Sequence, residues 1–567
     1  MCSTILKKAP SWSLIFLFFI SVQLVAAERP GSAAIATAHP LATAAGHHLL
    51  QAGGNAFDAA VGVSAVLAVV EPYSSGIGGG GFWLLHRASD GFETMLDGRE
   101  RAPLAADRDL YLDHAGEVIP NLSIDGALAA GIPGEPAALA HLARHYGRLS
   151  LADSLGPAIR LAREGFRVDS HYRRMASWRL AVLRTHPTSA EQFLQQGEVP
   201  AEGALIKQPD LAETLESIAL YGADGFYKGE IAQRLVDGVR AAGGIWSLED
   251  LANYRVVERQ PIVGRYRGLK ITSAAPPSSG GIALMTMLNI LQGFDLQAQD
   301  EPLRTHLIVE AMRRAYRDRA YYLGDPDYVD IPVEALTHPW YAAGLARDIQ
   351  QHRASPSVGN LSQAQEGRDT THFSILDRDG NRVAATLSIN YPFGSGFVAP
   401  GTGVLLNDEM DDFSASPGVP NVYGLIGGEA NAIAGGKRML SSMTPTFVED
   451  DRRVAILGTP GGSRIITMVL LGILEMADGK GPNSWVERPR FHHQYLPDVV
   501  QFEPGAFSDS HMQQLAAMGH NLKPLDRRYG NMQAILWNKG AGKVVAASDP
   551  RGLGFARVVK TSSQNRE

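Results

Sequence analysis

A threonine that could act as a nucleophile lies in the stretch Asp369-Thr370-Thr371-His372-Phe373-Ser374. Thr370 begins an extended segment that has the pattern of a central β-strand. A threonine hydroxyl is a weak nucleophile unless a base adjoins it, and its own α-amine becomes such a base when the chain is cut just before it. The sequence therefore predicts a precursor that is cut between Asp369 and Thr370 and a product made of two chains.

The residues after Thr370 predict a β-hairpin that brings a second hydroxyl to it. Residues 371–376 and 382–390 have strand composition, and residues 377–381 (Asp-Arg-Asp-Gly-Asn) have turn composition. If those five residues form the loop, Leu376 faces Arg382 and Thr370 faces Ser388. A shift of one residue would turn Ser388 to the other side of the sheet, so this pairing depends on the register.

The elements that must position the hairpin include a buried helix and a glycine-rich turn. Asn55 is a good N-cap for an apolar helix that runs to Val70. Residues 76–81 match GxGxxG by letter, but they follow a helix and lead into a strand, which is the reverse of a dinucleotide-binding loop. They predict a tight turn with close backbone approach. The polar stretch 351–368 predicts an exposed loop before Thr370, as cleavage requires.

Composition indicates an exported globular protein. The chain has 567 residues, a net charge of −7 and 20% charged residues, which argues against nucleic acid or an anionic membrane as partner. Residues 1–27 carry two lysines, a short apolar run and a Val-Ala-Ala cleavage signal, so they predict a signal peptide, with an uncleaved anchor as the alternative. We expect a periplasmic or secreted protein.

Cysteine and histidine usage predicts that no metal takes part. The single cysteine, Cys2, lies in the leader, which leaves no disulfide and no thiolate ligand in the rest of the chain. The pairs His47-His48 and His492-His493 lack the carboxylate spacing of a metal motif. We expect neither a metal nor a cofactor.

Eight motifs, taken in order, resemble one known family, the γ-glutamyltransferases (γ-glutamyl transpeptidases), which are N-terminal-nucleophile hydrolases. The motifs span nearly the whole chain after the leader and are specific as an ordered set. They are residues 53–60, 99–103, 324–327, 370–372, 407–413, 440–443, 460–464 and 547–551.

The resemblance implies an α/β fold, a four-layer αββα sandwich, made as one precursor that cuts itself. The large chain would comprise residues 28–369 and the small chain residues 370–567, both contributing to one fold. The donor would be glutathione or another γ-glutamyl compound. Its acyl group would form an ester with Thr370 and then pass to water or to an amino acid or dipeptide.

The resemblance also implies roles for individual residues. Glycine permits close backbone approach, and the family places its oxyanion hole at Gly461 and Gly462. Arg99, Ser441 and Ser442 would hold the α-carboxylate of the glutamyl group. Asp412, with Glu409 and Asn390, would hold its α-ammonium. Residues 411–431 resemble the lid of bacterial members, with Tyr423 as its gate.

Two positions depart from the usual family pattern, and other functions stay open. Many members have threonine where this chain has Ser388, so we expect activity with a less fixed nucleophile; Asp369 is a variable position before the cut.

The closest alternatives are a glutaryl (cephalosporin) acylase and a poly-γ-glutamate-processing enzyme. Asp412 favours a donor with an α-amino group. An alternative of another class is an unprocessed, non-catalytic binding protein, which the retained Thr370 and Arg99 oppose.

Overall fold

Two antiparallel sheets form the centre of the computed structural model, which describes residues 29–358, 370–416, 418–421 and 423–560. The predicted leader and Asp369 lie outside the described residues. Within the described part of the chain, no helix combines the length and the apolar character needed to cross a bilayer.

Seven strands form the first sheet, and Thr371 begins one near its centre. The strands are β1 (Ser32–Thr37), β2 (Gly80–Arg87), β3 (Phe92–Gly98), β6 (Val257–Arg259), β9 (Thr371–Leu376), β10 (Arg382–Ser388) and β18 (Phe555–Lys560). Their order is β18-β1-β9-β10-β2-β3-β6, and every neighbouring pair is antiparallel. The central position predicted for the strand after Thr370 is confirmed.

Six strands form the second sheet, and five short strands form two minor ones. The six are β7 (Ile262–Tyr266), β8 (Leu269–Ser273), β11 (Thr446–Glu449), β12 (Arg453–Gly458), β16 (Gln533–Asn538) and β17 (Lys543–Ser548), in the order β17-β16-β12-β11-β8-β7. The minor sheets pair β4 (Phe166–Arg167) with β5 (Leu205–Ile206), and β13 (Phe491–His492) with β14 (Val500–Phe502) and β15 (Leu522–Pro524).

The alternation of side chains between the two faces of each strand explains why the two sheets stack between layers of helices. On β2, Phe82 and Leu84 belong to the core shared with the second sheet, whereas Trp83 and Leu85 belong to the core under the first helical layer. Successive side chains of a strand point to opposite faces, so a strand that is apolar on both faces is buried on both. The result is the four-layer αββα sandwich expected from the resemblance.

The helices fall into the two outer layers. The layer associated with the first sheet contains α1 (Pro40–Gln51), α2 (Ala56–Val70), α3 (Glu135–His145), α4 (Leu151–Glu164), α5 (Ser170–Thr185), α6 (Pro187–Phe193), α7 (Pro209–Tyr221), α8 (Asp224–Tyr227), α9 (Gly229–Ala241) and α10 (Leu248–Ala252). The other helices are α11 (Gly280–Leu291), α12 (Glu301–Tyr322), α13 (Val333–Thr337), α14 (Pro339–Ala346), α15 (Ile465–Ala477), α16 (Pro482–Glu487) and α17 (Asp509–Ala517). Single 3-10 turns occupy Ala127–Ala129, Glu409–Asp412, Glu429–Asn431 and Gly462–Arg464.

Two helices show which structural features the local sequence determines and which depend on tertiary packing. In α2, Asn55 caps the first turn through a reciprocal pair with Asp58, and every residue of the helix is buried, as its apolar composition predicts. In α12, Arg314 contacts Glu310 at 2.7 Å; i,i+4 pairs of this kind usually lie on an exposed helix face, but here both side chains are buried.

Candidate active site

The predicted register of the hairpin is confirmed. Leu376 pairs with Arg382 and Thr371 with Leu387, so the next step places Thr370 opposite Ser388. The Thr370 Oγ1 and Ser388 Oγ atoms lie 3.4 Å apart, and Thr370 is only 6% exposed. The sheet thus brings two hydroxyls together at the start of a central strand.

The returning strand ends at Ser388, two residues earlier than residues 382–390 predicted. Asn390 has a φ of +73°, in the left-handed region, so the chain turns out of the sheet there. Its backbone N–H donates to Ser388 Oγ at 2.8 Å, and its Nδ2 donates to the carbonyl oxygen of Asp408 at 3.1 Å. This turn joins the nucleophile's hairpin to the acidic segment that follows Asn407.

Arg99 follows β3 and lies among three carboxyl groups. Its guanidinium contacts Glu409 Oε2 at 2.6 Å, Asp412 Oδ2 at 2.5 Å and Glu100 Oε2 at 3.5 Å, and Arg99 is 1% exposed. Burial raises the pKa of Glu100 well above its usual range, and the nearby Glu409 carboxylate adds to this effect. Arg99 therefore contacts three carboxyl groups, of which Glu409 and Asp412 are the closest.

A second buried arginine, which the sequence did not predict as a site residue, donates a hydrogen bond to one serine of the Ser441–Ser442 pair. Arg319 of α12 donates to Ser442 Oγ at 3.3 Å and to Ser279 Oγ at 3.0 Å. Among the described residues it makes no salt bridge, although Asp412 and Arg99 are near enough to act on it electrostatically. Ser441 accepts a hydrogen bond from the N–H of Met443 at 3.1 Å. The only sequence signal for Arg319 was its place in a charged helix, which does not distinguish a site residue from a surface one.

Gly461 and Gly462 lie in the turn between β12 and α15, and both have backbone conformations that favour glycine. Their φ values are +138° and +56°. A Cβ on Gly462 would lie 2.8 Å from the Tyr423 ring, and one on Gly461 would lie 2.6 Å from Met468. Within the described residues, neither backbone N–H donates to a protein acceptor.

Tyr423 covers the pocket from the segment 411–431. Its hydroxyl donates to the carbonyl oxygen of Asn390 at 2.7 Å, and its ring packs on Gly462. In the same segment, Asn421 Nδ2 donates to Asp412 Oδ1 at 3.1 Å. Tyr423 and Leu425 of this segment line a cavity of about 20 Å³.

Ten of the eleven predicted site residues line this one small pocket. They are Arg99, Thr370, Ser388, Asn390, Glu409, Asp412, Tyr423, Ser441, Ser442 and Gly462. The eleventh, Gly461, lines a separate and larger cavity, which Thr370 also lines. Thr370 therefore lines both cavities.

Of the two histidine pairs considered as metal ligands, His492 and His493 are buried and hydrogen-bonded, whereas His47 is buried and His48 is exposed. His492 Nδ1 contacts Thr467 Oγ1 at 2.9 Å, and His493 Nε2 contacts Asp498 at 3.0 Å. A different group, His306, Glu310 and His520, brings three potential ligand atoms together. Glu310 is already paired with two arginines of its own helix, Arg313 and Arg314, and that positive charge disfavours a metal ion.

A threonine at the start of a central strand, in a four-layer αββα sandwich with free backbone donors beside it, defines the class of N-terminal-nucleophile hydrolases. The family described as gamma-glutamyltranspeptidase matches residues 42–559, and the chain belongs to that family.

Known relatives agree with this assignment. The glutathione hydrolase proenzyme of Escherichia coli (strain K12) is 43% identical over 92% of this chain and 90% of its own length. The crystal structure of a cephalosporin acylase from Bacillus halodurans has a TM-score of 0.82 and 29% identity, and covers 94% of this chain and 96% of that one. Helicobacter pylori gamma-glutamyltranspeptidase, at 40% identity and a TM-score of 0.54, covers 57% of this chain and 96% of the solved chain.

Proposed function

We propose that this protein is a self-processing γ-glutamyltransferase, or glutathione hydrolase. It cleaves the γ-glutamyl amide of glutathione and related compounds and passes the acyl group to water or to an amino acid or dipeptide. The main observation that supports this function is that Arg99, Glu409 and Asp412 line the same pocket as Thr370. A γ-glutamyl group has a carboxylate and an ammonium at the end remote from its amide, and this pocket offers a partner for each.

Substrate binding would exchange ion pairs within the protein for ion pairs with the substrate. The Arg99 guanidinium pairs with both Glu409 and Asp412 in the structure. We propose that the α-carboxylate binds Arg99, Ser441 and Ser442, while the α-ammonium binds Asp412 and Glu409, with Asn390 beside them. Arg319 donates to Ser442 from behind and adds positive charge on the carboxylate side.

The chemical steps follow from Thr370 and the groups around it. Its Oγ1 attacks the γ-carbonyl carbon, and its α-amine takes the hydroxyl proton and returns it to the leaving amine. Ser388, 3.4 Å from that oxygen, orients the hydroxyl. The amides of Gly461 and Gly462 stabilise the tetrahedral oxyanion, and one such donor is worth roughly 3–4 kcal/mol. Water or an amine then cleaves the ester.

The α-amine of Thr370 becomes available only after the chain is cut at Asp369–Thr370. The proposed products are residues 28–369 and 370–567. The solved Helicobacter pylori chain supports a division of this kind, because nearly all of it aligns with just 57% of this chain. The proposal includes the leader, residues 1–27, and export to the periplasm or medium.

Charge in the pocket favours γ-glutamyl donors over glutaryl ones. A glutaryl group lacks the ammonium, so its binding would leave Asp412 and Glu409 facing each other beside a single guanidinium. The structural likeness to a cephalosporin acylase keeps the acylase as the second candidate.

Purified protein tests the proposal directly. We expect two bands, with the smaller beginning at Thr370 by N-terminal sequencing, and release of p-nitroaniline from γ-glutamyl-p-nitroanilide. A Thr370→Ala chain should stay uncut and inactive. A single full-length band from the unaltered protein, or faster cleavage of a glutaryl than of a γ-glutamyl anilide, would contradict it.

A further inference from the structure

The polar groups of Asn390 are bonded to three different neighbours. Its backbone N–H donates to Ser388 Oγ at 2.8 Å, and its carbonyl oxygen accepts from the Tyr423 hydroxyl at 2.7 Å. Its side-chain Nδ2 donates to the carbonyl oxygen of Asp408 at 3.1 Å and to Asp408 Oδ2 at 3.3 Å. Within the described residues, Asn390 Oδ1 accepts no hydrogen bond, and Asn390 lines the small pocket beside Thr370.

These contacts decide which end of the Asn390 amide is turned towards Asp408. A side-chain amide has a donor end and an acceptor end, and its hydrogen-bond partners determine which way it lies. The backbone carbonyl oxygen of Asp408 can only accept, so the end that faces it must be the Nδ2 donor. The acceptor, Oδ1, is then the end that lies away from Asp408.

Asp408 also holds the backbone on both sides of Asn390. Its N–H donates to the carbonyl oxygen of Ile389 at 3.2 Å, and its Oδ1 accepts from the N–H of Tyr391 at 2.9 Å. Asn390 has a φ of +73°, a left-handed conformation that is unfavourable for a residue with a side chain. Three consecutive residues are therefore bonded to one fully buried aspartate, which stabilises this turn.

Asp408 serves in this turn as a hydrogen-bond acceptor, and a negative charge is not required for that. Burial raises the pKa of Asp408 well above its usual range, and the carboxylates of Asp411 and Glu409 add to this effect, while Arg179 opposes it. A neutral side chain that offers the same acceptor oxygen should therefore hold the turn as well.

We propose that Asp408 is a positioning residue for donor recognition: it holds the turn so that Asn390 presents Oδ1, and not Nδ2, to the α-ammonium of the γ-glutamyl group. The proposal rests on the proposed function, in which Asn390 lies beside that ammonium, and it gives a role to a residue to which the resemblance assigned none. An inverted amide would place an N–H donor against the ammonium, where the two groups repel each other. A ligand without an ammonium would not sense the orientation.

The test measures competitive inhibition of p-nitroaniline release by L-glutamate and by glutarate, which differ only in the ammonium. Asp408→Ala removes the acceptors for the Tyr391 N–H and, at Oδ2, for Asn390 Nδ2. We expect the Ki of glutamate to rise about tenfold, the scale of one hydrogen bond to a charged group, and the Ki of glutarate to change less than about twofold. Asp408→Asn keeps a side-chain carbonyl oxygen for the Tyr391 N–H, so its Ki for glutamate should stay near that of the unaltered protein.

Asp377 offers a matched control in the turn at the opposite end of the same hairpin. It is also buried, and it also accepts from an asparagine amide, Asn381 Nδ2 at 2.7 Å, and from a backbone N–H, that of Ala56 at 3.0 Å. Asp377→Ala should lower the Tm as Asp408→Ala does, but it should leave the Ki of glutamate unchanged. This comparison separates a loss of orientation in the pocket from a general loss of stability.

Three results would overturn the role of Asp408: an unchanged Ki of glutamate in Asp408→Ala, an equal rise for glutamate and glutarate, or an asparagine variant as impaired as the alanine variant. If Asp408→Ala does not fold, Asp408→Ser, which leaves a smaller polar group in the same space, is measured in its place with the same expectations. Turnover of the unaltered protein separates this proposal from the proposed function. Without any release of p-nitroaniline from γ-glutamyl-p-nitroanilide, the proposed function itself fails; with normal release and any of the three results above, only the role of Asp408 fails.

Discussion

Arg99 donates to Asp412 across 2.5 Å, so two groups that the family resemblance assigns to opposite charges of the substrate are paired with each other. This pair keeps a buried guanidinium and a largely buried carboxylate satisfied. A zwitterionic ligand can replace it without leaving either charge alone, whereas a simple anion cannot.

Asp412→Asn should therefore weaken γ-glutamyl donors far more than glutaryl donors. We expect kcat/KM for γ-glutamyl-p-nitroanilide to fall roughly 10- to 100-fold, because a hydrogen bond to a charged group contributes about 1.5–3 kcal/mol. Glu429→Gln, an exposed acid of the same segment paired with Arg108, serves as control and should change neither donor. Equal losses on both donors would refute the role given to Asp412.

Ser388 should be replaceable by threonine but not by alanine. Ser388→Ala removes the partner of Thr370 Oγ1 and leaves the N–H of Asn390 without its acceptor. We expect chain cleavage and kcat to fall at least about tenfold, since positioned proton-transfer partners contribute on this scale or more. Ser388→Thr keeps the hydroxyl and should match or exceed the unaltered protein in a time course of band appearance. An alanine variant with normal cleavage and turnover would show that Ser388 is dispensable.

Gly462→Ala should displace the Tyr423 ring. Its Cβ would lie 2.8 Å from Tyr423 Cδ1, and its φ of +56° adds backbone strain. In a double-mutant cycle on kcat/KM, Gly462→Ala should cost less in a Tyr423→Ala chain than in the unaltered one, because only the strain remains. Gly481→Ala, where a Cβ meets nothing, is the control. Strict additivity would indicate that the ring does not rest on this turn in solution.

Arg319→Gln should raise the KM of γ-glutamyl donors about tenfold, with a smaller effect on kcat. The change removes the donor to Ser442 Oγ and the positive charge behind it, a loss on the scale of a charged hydrogen bond. Arg319→Lys keeps the charge and should restore part of the affinity. If both variants bind donor normally and differ only in thermal stability, Arg319 is part of the core alone.

Stability should fall with rising pH because of Glu71. Its folded pKa of about 8 exceeds the unfolded value near 4.3, so the folded state retains a proton that the unfolded chain has lost. The favourable contribution is complete below pH 4 and disappears as the pH rises through 8. Glutamine does not titrate, so the Glu71→Gln variant does not lose this contribution as the pH rises. The Tm of the variant minus that of the unaltered protein should therefore grow from pH 5 to pH 8. A constant difference would mean that Glu71 has an ordinary pKa.

Local pattern was enough to predict the hairpin and the buried helix. The five-residue turn determined the Thr370–Ser388 register, and the cap at Asn55 determined where α2 begins. Other features depend on contacts between distant segments. Arg319 joins Ser442 across 123 residues, and the Glu310–Arg314 pair, which resembles a solvent-exposed helix pair in the sequence, is buried by the tertiary packing.

The strand end at Ser388 and the position of Glu100 beside the Arg99 guanidinium were missed for the same reason. Asn390 leaves the sheet because its side chain bonds Asp408. Glu100 follows Arg99 directly and lies within 3.5 Å of the Arg99 guanidinium, although neighbours in a regular strand would point apart. Roles for Gly461, Ser441 and Asp412 came from family resemblance, which carries long-range information that spacing lacks.

The interleaving of strands has a consequence for how such a protein can be made. In the first sheet, β9 and β10 from beyond residue 370 lie between β1 and β2 from before it, and the second sheet is likewise built from both parts. Neither proposed product could complete a sheet alone, and each would expose unpaired strand edges that favour aggregation. Because both parts are synthesised as one chain, they are made in equal amounts and have a high effective concentration relative to each other. The proposed scissile bond would therefore hold the two parts in one chain while the fold assembles, and it would no longer be needed afterwards.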